Sequence, residues 1–256
     1  MSAERDIRLA HVSKTFLARG TIFRALEDVS LTCEPASFTA LIGPSGCGKS
    51  TILRLALGLD AADSGTVTIG GRPPRAATAS GATGVAFQDA ALLPWRNVEA
   101  NIALPLDVLG KPRAEFRLRI KDLIHLVGLD GFEHALPGEL SGGMRQRVSI
   151  ARALVTNPGV LFLDEPFGAL DQILRRQMNI ELQRIWSEIR CTTLFVTHGI
   201  DEAVFLADRV AIMASRPGRI TQVIDVPFAR PRDRTLFTDP KFHKLNDLIA
   251  TVLHGA

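Results

Sequence analysis

The sequence predicts an α/β fold in which helices cover both faces of a mainly parallel sheet. From about residue 160 onward, short and wholly apolar segments alternate with helical segments, a pattern typical of parallel strands buried on both faces. Strand-like segments dominate the first third, and residues 98–155 are mainly helical. We therefore expect an N-terminal antiparallel β subdomain and a helical subdomain inserted into the α/β core.

The first third is predicted to consist of strands around one helix. Residues 7–12 alternate apolar and polar side chains, as in a half-buried strand. Further strands are predicted over 26–33, 38–42, 66–69 and 84–87, and a helix over 49–57. The G-G-R-P-P cluster at 70–74 should separate two of these strands.

The remainder is predicted to alternate helices and strands, followed by a short tail. Helices are predicted over 113–127, 143–155, 170–189 and 200–207, and strands over 160–163, 193–196 and 210–213. We interpret residues 5–230 as one domain, with the helical subdomain inserted at about 89–155, and 231–256 as a tail containing an amphipathic helix.

Composition and charge exclude several classes of protein. Thirty basic and 27 acidic residues leave a net charge of +3, which is too small to predict nucleic acid as the main partner. No apolar run approaches the ~18 residues of a membrane span, and residues 1–6 lack a signal-peptide core. The three cysteines, Cys33, Cys47 and Cys191, have no C-x-x-C spacing, so we expect a chain in the reducing cytosol without disulfide or zinc cluster.

The strongest local motif is G-P-S-G-C-G-K-S at 43–50, which follows a predicted strand and precedes a predicted helix. Its glycines allow a tight loop whose N–H groups face phosphate oxygens, and the helix N-terminus adds its positive end. Lys49 would reach the β- and γ-phosphates, and the Ser50 hydroxyl would ligate Mg²⁺. The predicted phosphate-binding residues are Gly43, Pro44, Ser45, Gly46, Cys47, Gly48, Lys49, Ser50 and Thr51.

Two further motifs lie downstream. In L-F-L-D-E-P at 161–166 an apolar strand ends in Asp164, a candidate Mg²⁺ ligand, and Glu165, a candidate general base; a solvated turn is the alternative. In L-S-G-G-M-R-Q-R at 140–147, Ser141 and Gly142-Gly143 open a helix. This is either a second anion cradle or a simple capping turn.

These motifs, in this order and followed by T-H-G-I-D-E-A at 197–203, resemble the ATP-binding subunit of ABC transporters over about residues 5–225. The resemblance implies a head-to-tail homodimer that binds two ATP molecules with Mg²⁺. The signature turn of Ser141, Gly142 and Gly143 would close on the ATP held by the phosphate-binding loop of the partner copy, which gives the second cradle a role.

The resemblance also implies roles for single residues. Gln88 matches the glutamine that contacts Mg²⁺ and the attacking water, Asp171 the loop that crosses the dimer interface, and His198 the switch histidine at the γ-phosphate. Phe16 matches the aromatic residue that stacks on adenine, with Phe23 as a rival and core packing as the alternative for both.

The sequence departs from the family pattern at three places. Residues 34–38 read E-P-A-S-F, a different turn before the strand; Gly199 follows the histidine where aspartate is common; and the loop between residues 16 and 29 looks a few residues long. None of these changes touches Lys49 or the two carboxylates, so we expect hydrolysis to be retained.

Residues 87–106, with L-L-P-W at 92–95, and M-A-S-R-P-G-R-I at 213–220 are similar to the nitrate/sulfonate/taurine group of bacterial importers, which includes bicarbonate and thiamine-precursor systems. The resemblance implies a separate permease docking near Gln88, Leu92, Leu93, Pro94 and Trp95, although local packing would also explain this apolar patch. It also implies a solute-binding protein without direct contact, and a place on the inner face of the cell membrane.

Two other functional classes share the ATP motifs. A soluble non-transport ABC protein, such as a scaffold for iron–sulfur cluster assembly, would lack the importer-like wording at 87–106. A nucleotide-binding module without hydrolysis would not need Glu165 and His198. In the tail, Arg230, Arg232 and Arg234 are expected to be a solvated run, or else to approach anionic lipid at ~1 kcal/mol per charge.

Overall fold

The computed structural model describes residues 5–18 and 20–255, which form two sheets. The smaller sheet is antiparallel and has the strand order β2-β1-β4. Its strands are β1 (Ile7–Ala18), β2 (Thr21–Cys33) and β4 (Ser64–Ile69). This sheet is the predicted N-terminal antiparallel subdomain.

The larger sheet has the order β5-β6-β7-β3-β8-β9, and all its pairs are parallel except β8 with β9. Its strands are β3 (Phe38–Ile42), β5 (Thr83–Ala86), β6 (Val160–Asp164), β7 (Thr192–Val196), β8 (Arg209–Ala214) and β9 (Arg219–Asp225). Every residue of β3 and β7 is buried, which explains why these segments read as continuous apolar or β-branched runs.

Helices fill the remainder of the chain and include the predicted insertion. The helices of the α/β core are α1 (Lys49–Ala56), α2 (Pro74–Ala79), α7 (Gln172–Ile189), α8 (Ile200–Leu206) and α9 (Pro240–His254). The inserted helices are α3 (Val98–Ile102), α4 (Leu104–Val108), α5 (Arg117–Leu126) and α6 (Gly142–Leu154). The predicted fold class is confirmed.

The structure corrects the interpretation of the segment between residues 16 and 29. It is not an extended loop, because β1 and β2 continue as a hairpin in which Phe16 lies opposite Phe23 and Leu17 opposite Ile22. The extra residues therefore lengthen two paired strands. The register places Phe16 and Phe23 on the same face of the hairpin.

Two elements were missing from the prediction for identifiable reasons. Strand β9 lies at the sheet edge and is mostly exposed, so its sequence lacks the apolar run of an inner strand. Helix α2 begins at Pro74, inside the cluster interpreted as a breaker, because proline is well tolerated in the first turn of a helix. The helix predicted over 113–127 begins instead with a 3₁₀ turn, Arg113–Phe116.

The arginines of the tail are not the solvated run that was expected. The side chains of Arg230 and Arg232 are only 12% and 2% exposed, whereas Arg234 is exposed. Arg232 donates to the carbonyl oxygens of Val204, Phe205 and Ala207 at the C-terminal end of α8. The uncapped carbonyls of a helix C-terminus attract a cation, so Arg232 clamps the tail to α8.

The same clamp includes an acidic partner. Arg230 donates from Nε to Asp208 Oδ1 over 2.9 Å, directly after α8. Burial, together with the charge of Arg230, lowers the pKa of Arg232 to about 10. Phe237 of the tail stacks on Phe205 of α8, with ring centroids 4.5 Å apart.

Among the described residues, no helix is long and apolar enough to cross a membrane.

Candidate active site

The strand order brings the predicted site residues to one edge of the larger sheet. Strands β5, β6, β7 and β3 are consecutive parallel neighbours, so their carboxyl ends lie side by side, where ligands of open α/β sheets bind. Gln88 follows β5, Asp164 and Glu165 lie at the end of β6, and His198 follows β7. The phosphate-binding loop, residues 43–51, follows β3.

The phosphate-binding loop is held by its own backbone and by Lys49. Nζ of Lys49 donates to the carbonyl oxygens of Gly43 over 2.8 Å and Pro44 over 3.2 Å, and only 8% of this residue is exposed. Gly46 and Gly48 adopt φ of 76° and 102°, a region that favours glycine. The side chain of Lys49 therefore lies across the phosphate-binding loop and is held there by the loop's own carbonyl oxygens.

The start of α1 is suited to an anion. Gly48 provides no side-chain cap, and the first turn contains no acidic residue, so side chains do not satisfy or neutralise its N–H groups. Ser50 is exposed and Thr51 is half-buried in this first turn. The helix terminus thus offers free donors and a hydroxyl at one place.

The two carboxylates at the end of β6 lie in different environments. Burial raises the pKa of Asp164, and the charge of Glu165 adds to this rise while Lys49 opposes it. Glu165 has φ of 44°, which for a non-glycine residue costs about 1–3 kcal/mol and is typical of functional sites. Its N–H donates to the carbonyl oxygen of Val196 over 2.8 Å, so β7 holds this strained residue in place.

Gln88, Glu165 and His198 converge, and we name these three residues the hydrolytic corner. Nδ1 of His198 lies 3.2 Å from Oε2 of Glu165. A Cβ added to Gly168 would lie 3.1 Å from Nε2 of Gln88 and 3.5 Å from Oε2 of Glu165, so the amide and the carboxylate flank the same glycine. When Glu165 is ionised its carboxylate can only accept, so the hydrogen bond then requires the proton of the His198 ring on Nδ1.

The signature turn lies against the loop that contains Asp171. Ser141 caps α6 by accepting from the N–H of Met144 over 3.3 Å, and Asp171 caps α7 by accepting from Leu174 over 3.0 Å. A Cβ on Gly142 would contact Leu170 at 3.5 Å. Gly142 is exposed and Gly143 is buried, so part of this turn is open to a ligand.

The two aromatic residues predicted as candidates for stacking on adenine lie opposite each other on one hairpin. Phe16 is half-buried with Nζ of Lys14 5.4 Å from its ring centroid, and Phe23 opposite is 46% exposed. The base of the hairpin touches the phosphate-binding loop, because a Cβ on Gly48 would lie 2.6 Å from Cδ2 of Leu26. Both rings therefore belong to a hairpin that packs on this loop.

Sequence reasoning missed several polar residues that join these segments. Buried Gln146 of α6 donates to the carbonyl oxygen of Phe87 over 3.0 Å and so ties the signature helix to the segment before Gln88. Arg175 and Glu202 are further examples, because they join α7 to α8. Gln146 stands in M-R-Q-R and Glu202 in T-H-G-I-D-E-A, but their partners lie too far away in sequence to be read from these motifs.

Comparisons with known proteins identify the family of this chain. Residues 26–168 match the ABC transporter family. The chain is 44% identical to a taurine import ATP-binding protein of Rhizobium johnstonii over 97% of both chains. It is 42% identical to a bicarbonate transport ATP-binding protein of Synechocystis, over 97% of this chain and 89% of that protein.

An aliphatic sulfonates import ATP-binding protein of Bacillus subtilis is 46% identical over 87% of this chain and 85% of its own length. Two solved structures are similar over 87% of this chain and 100% of theirs. One is a dimeric bacterial ABC transporter cassette, with 30% identity and a TM-score of 0.74. The other is a dimeric cassette in a post-hydrolysis state with ADP and Pi, with 29% identity and a TM-score of 0.75.

The chain belongs to the ABC transporter family as an ATP-binding subunit. The resemblance to the nitrate/sulfonate/taurine type of importer is confirmed. ATP-binding subunits of ABC transporters are ATPases coupled to transport.

Proposed function

We propose that this chain is the ATP-hydrolysing subunit of an importer for a small anionic or organic solute. The observation that carries the proposal is the hydrolytic corner beside the phosphate-binding loop, with Nδ1 of His198 3.2 Å from the carboxylate of Glu165. A module that only bound nucleotide would not need a carboxylate held in a strained conformation and oriented by a histidine.

The phosphate-binding loop and the start of α1 hold the nucleotide. Lys49 leaves the carbonyl oxygens of the loop for the β- and γ-phosphates, which offer it stronger, charge-assisted hydrogen bonds. The Ser50 hydroxyl, the Asp164 carboxylate and the Gln88 amide oxygen form a set of hard oxygen donors that fits Mg²⁺. When bound, Mg²⁺ neutralises charge on the β- and γ-phosphates.

Glu165 acts as the general base and His198 positions it. The carboxylate accepts the proton of the attacking water, while the amide of Gln88, which lies beside the same Gly168, orients that water. Because Nδ1 of His198 donates to Glu165, its Nε2 remains to contact the γ-phosphate. Phe16, or Phe23 opposite it, stacks on the adenine.

A second copy completes each site. The signature turn of Ser141, Gly142 and Gly143, which is exposed at its first two residues and has Asp171 beside it, contacts the ATP bound to the partner copy. Support comes from the adjacency of these two segments, since a Cβ added to Gly142 would meet Leu170 at 3.5 Å, and from the similar cassette that was solved as a dimer. Two ATP molecules are thus enclosed between two head-to-tail copies.

The permease docks beside Gln88. Leu92 and Leu93 are half-buried, and the N–H of Leu93 donates to Oδ1 of Asn101 over 2.8 Å, so both belong to local packing. Pro94 is exposed and Trp95 is 74% exposed, which leaves these two as the docking contacts. Nearby, a groove of about 340 Å³ lined mainly by apolar residues, among them Phe87, lies between β5 and the inserted helices.

The transported solute is proposed from the relatives, which are named for the import of taurine, aliphatic sulfonates and bicarbonate. These share a small anionic headgroup, and a separate solute-binding protein selects among them without touching this chain. The chain itself works on the cytoplasmic face of the membrane, bound to its permease. The import names of the relatives do not favour an iron–sulfur assembly scaffold.

Co-purification from native membranes in mild detergent tests the proposal. We expect a polytopic permease at a ratio near 1:1, identified by mass spectrometry, and its loss on Trp95→Ala. Leu118→Ala, at another exposed apolar position, is the matched control and should retain the permease. Recovery of soluble partners alone would overturn the transport assignment.

A further inference from the structure

Arg175, near the start of α7, reaches the loop between the general base and Asp171. Its Nη2 donates to the carbonyl oxygen of Gly168 over 3.2 Å and of Leu170 over 3.0 Å. We name residues 168–171 the crossing loop, because it ends at Asp171 and lies against the signature turn. A guanidinium presents several donors in a rigid fork, so one side chain fixes two carbonyl oxygens of this loop.

The other side of the same guanidinium faces α8. Nε of Arg175 lies 3.6 Å from Oε1 of Glu202, and only 7% of Glu202 is exposed. Neither atom has a hydrogen-bond partner among the described residues. The separation is within ion-pair range but longer than a hydrogen bond, so a shift of less than about 1 Å would make or loosen this contact.

Glu202 in turn holds the turn that carries the switch histidine. Its Oε2 accepts a hydrogen bond from the hydroxyl of Thr197. The same hydroxyl accepts from the N–H of Gly199 over 2.9 Å. A Cβ on Gly199 would lie 3.2 Å from Oε2 of Glu202, so this turn packs closely on the carboxylate. The residues on both sides of His198 are thus anchored to one buried group.

We propose that Arg175, Glu202 and Thr197 form a relay that sets the position of His198 according to the position of the crossing loop. The proposal rests on the proposed function, in which His198 orients Glu165. The three are positioning residues, because none of them contacts the reacting groups. Movement of the crossing loop, as when a second copy engages it, pulls on Arg175 and through Glu202 on the turn at Thr197.

A matched pair of substitutions at Thr197 tests the relay. Thr197→Val has nearly the same shape and removes only the hydroxyl, whereas Thr197→Ser keeps it. We expect Thr197→Val to lower kcat for ATP hydrolysis about tenfold while KM for ATP changes less than about twofold. Thr197→Ser should keep kcat within about twofold of the wild type. Equal losses in both variants, or a loss confined to KM, would contradict the relay.

A double-mutant cycle tests whether the three residues act as one unit. Arg175→Lys keeps the positive charge but loses the fork that spans the two carbonyl oxygens and Glu202. If the relay is a single chain, the double variant Arg175→Lys/Thr197→Val loses no more than about tenfold in kcat. If each single variant loses about tenfold and the residues act independently, the losses multiply to about 100-fold, which would overturn the proposal.

A readout that needs no hydrolysis separates failure of the relay from failure of the proposed function. In the full chain with ¹⁵N-labelled histidine, the His198 resonances, assigned by their absence in His198→Ala, report the hydrogen bond of Nδ1. We expect them to shift in Thr197→Val and not in Thr197→Ser. Unchanged His198 resonances in Thr197→Val contradict the relay even if ATP hydrolysis is intact, whereas a wild type without hydrolysis contradicts only the proposed function.

Discussion

The phosphate-binding loop and the hydrolytic corner lie at neighbouring strand ends, but the chain builds them in different ways. The loop is contiguous, and its shape comes from its own glycines and from the bonds of Lys49 to Gly43 and Pro44. The corner takes its side chains from segments after β5, β6 and β7 and depends on distant polar residues for their placement. Under the proposed function, nucleotide binding therefore depends on one contiguous segment and hydrolysis on contacts between distant segments, so substitutions should affect Kd and kcat separately.

The largest difference between the effect on kcat and the effect on ATP affinity is expected at the hydrolytic corner. Glu165→Gln keeps the shape of the side chain but cannot accept the proton of the attacking water, so kcat should fall about 10³-fold. ATP affinity should stay within about threefold of the wild type. Steady-state phosphate release gives kcat, and fluorescent-nucleotide titration gives the affinity.

The same variant should accumulate as an ATP-bound dimer in size-exclusion chromatography with light scattering, because ATP closes the dimer and is not consumed. Glu188→Gln on the exposed side of α7, where the carboxylate is 57% exposed, is the control and should behave as the wild type. Full turnover in Glu165→Gln would rule out its role as general base.

The opposite result, a large effect on Kd for ATP, is expected in the phosphate-binding loop. Lys49→Ala removes the charge that is proposed to bind the phosphates and also the two hydrogen bonds that hold the loop. We expect Kd for ATP to rise about 100-fold, equivalent to about 2.7 kcal/mol. Lys121→Ala on the exposed face of α5 is the control, and an unchanged Kd in Lys49→Ala would show that the lysine only braces the loop.

A smaller effect on the loop is expected from its neighbour Gly218, at the turn before β9. A Cβ there would lie 2.1 Å from the carbonyl oxygen of Cys47 and 2.8 Å from that of Ala25, so Gly218→Ala must displace the loop. We expect Kd for ATP to rise about tenfold. At Gly138 none of the described residues has an atom within 4 Å of an added Cβ, so Gly138→Ala should leave Kd unchanged. Equal Kd values for the two variants would contradict the displacement of the loop by the Cβ at position 218.

The smallest effect is on stability, at Asp164. Burial raises the pKa of this carboxyl, so the folded chain binds its proton more tightly than the unfolded chain. Stability therefore falls as pH rises from the ordinary carboxyl value through the raised one, and the whole cost is present at neutral pH. Asp164→Asn should accordingly raise Tm without nucleotide at about pH 7, although it loses a proposed Mg²⁺ ligand.

Differential scanning calorimetry of both proteins checks this sign. The difference in Tm should shrink as the pH is lowered and vanish below the ordinary value of 3.8, where the carboxyl regains its proton in both the folded and the unfolded state. Lower stability of Asp164→Asn at neutral pH would mean that the carboxylate contributes a favourable contact that outweighs its desolvation.

The loop and the three downstream motifs could be predicted because each is contiguous in sequence. The glycines at 43–48, the carboxylates at 164 and 165 and the turn at 141–143 each carry their chemistry within a few residues. The strands β3, β6 and β7 were equally clear, since burial on both faces requires continuous apolar runs. The placement of the site at one sheet edge then follows from the strand order.

The remaining features depend on contacts that no local pattern encodes. Arg175 and Glu202 contact each other although they lie on different helices, 27 residues apart in sequence. A charged residue in a helix is normally assigned to the surface, so neither was expected to be buried against the other. The same default led to the wrong assignment of Arg232, which is buried because the carbonyl end of α8 is there to receive it. The hairpin that carries Phe16 and Phe23 was mistaken for a loop, because its tip exposes Leu17 and Ile22.

The central claim, that each ATP site is completed by the partner copy, is tested most directly by mixing two inactive variants. Glu165→Gln lacks the general base, and Gly142→Asp places a negative charge in the signature turn, where an added Cβ meets Leu170 only at an ordinary 3.5 Å. A mixed dimer holds one site with both defects and one intact site. The account predicts that an equal mixture recovers up to about a quarter of wild-type ATP hydrolysis. A mixture no more active than either variant alone would contradict it.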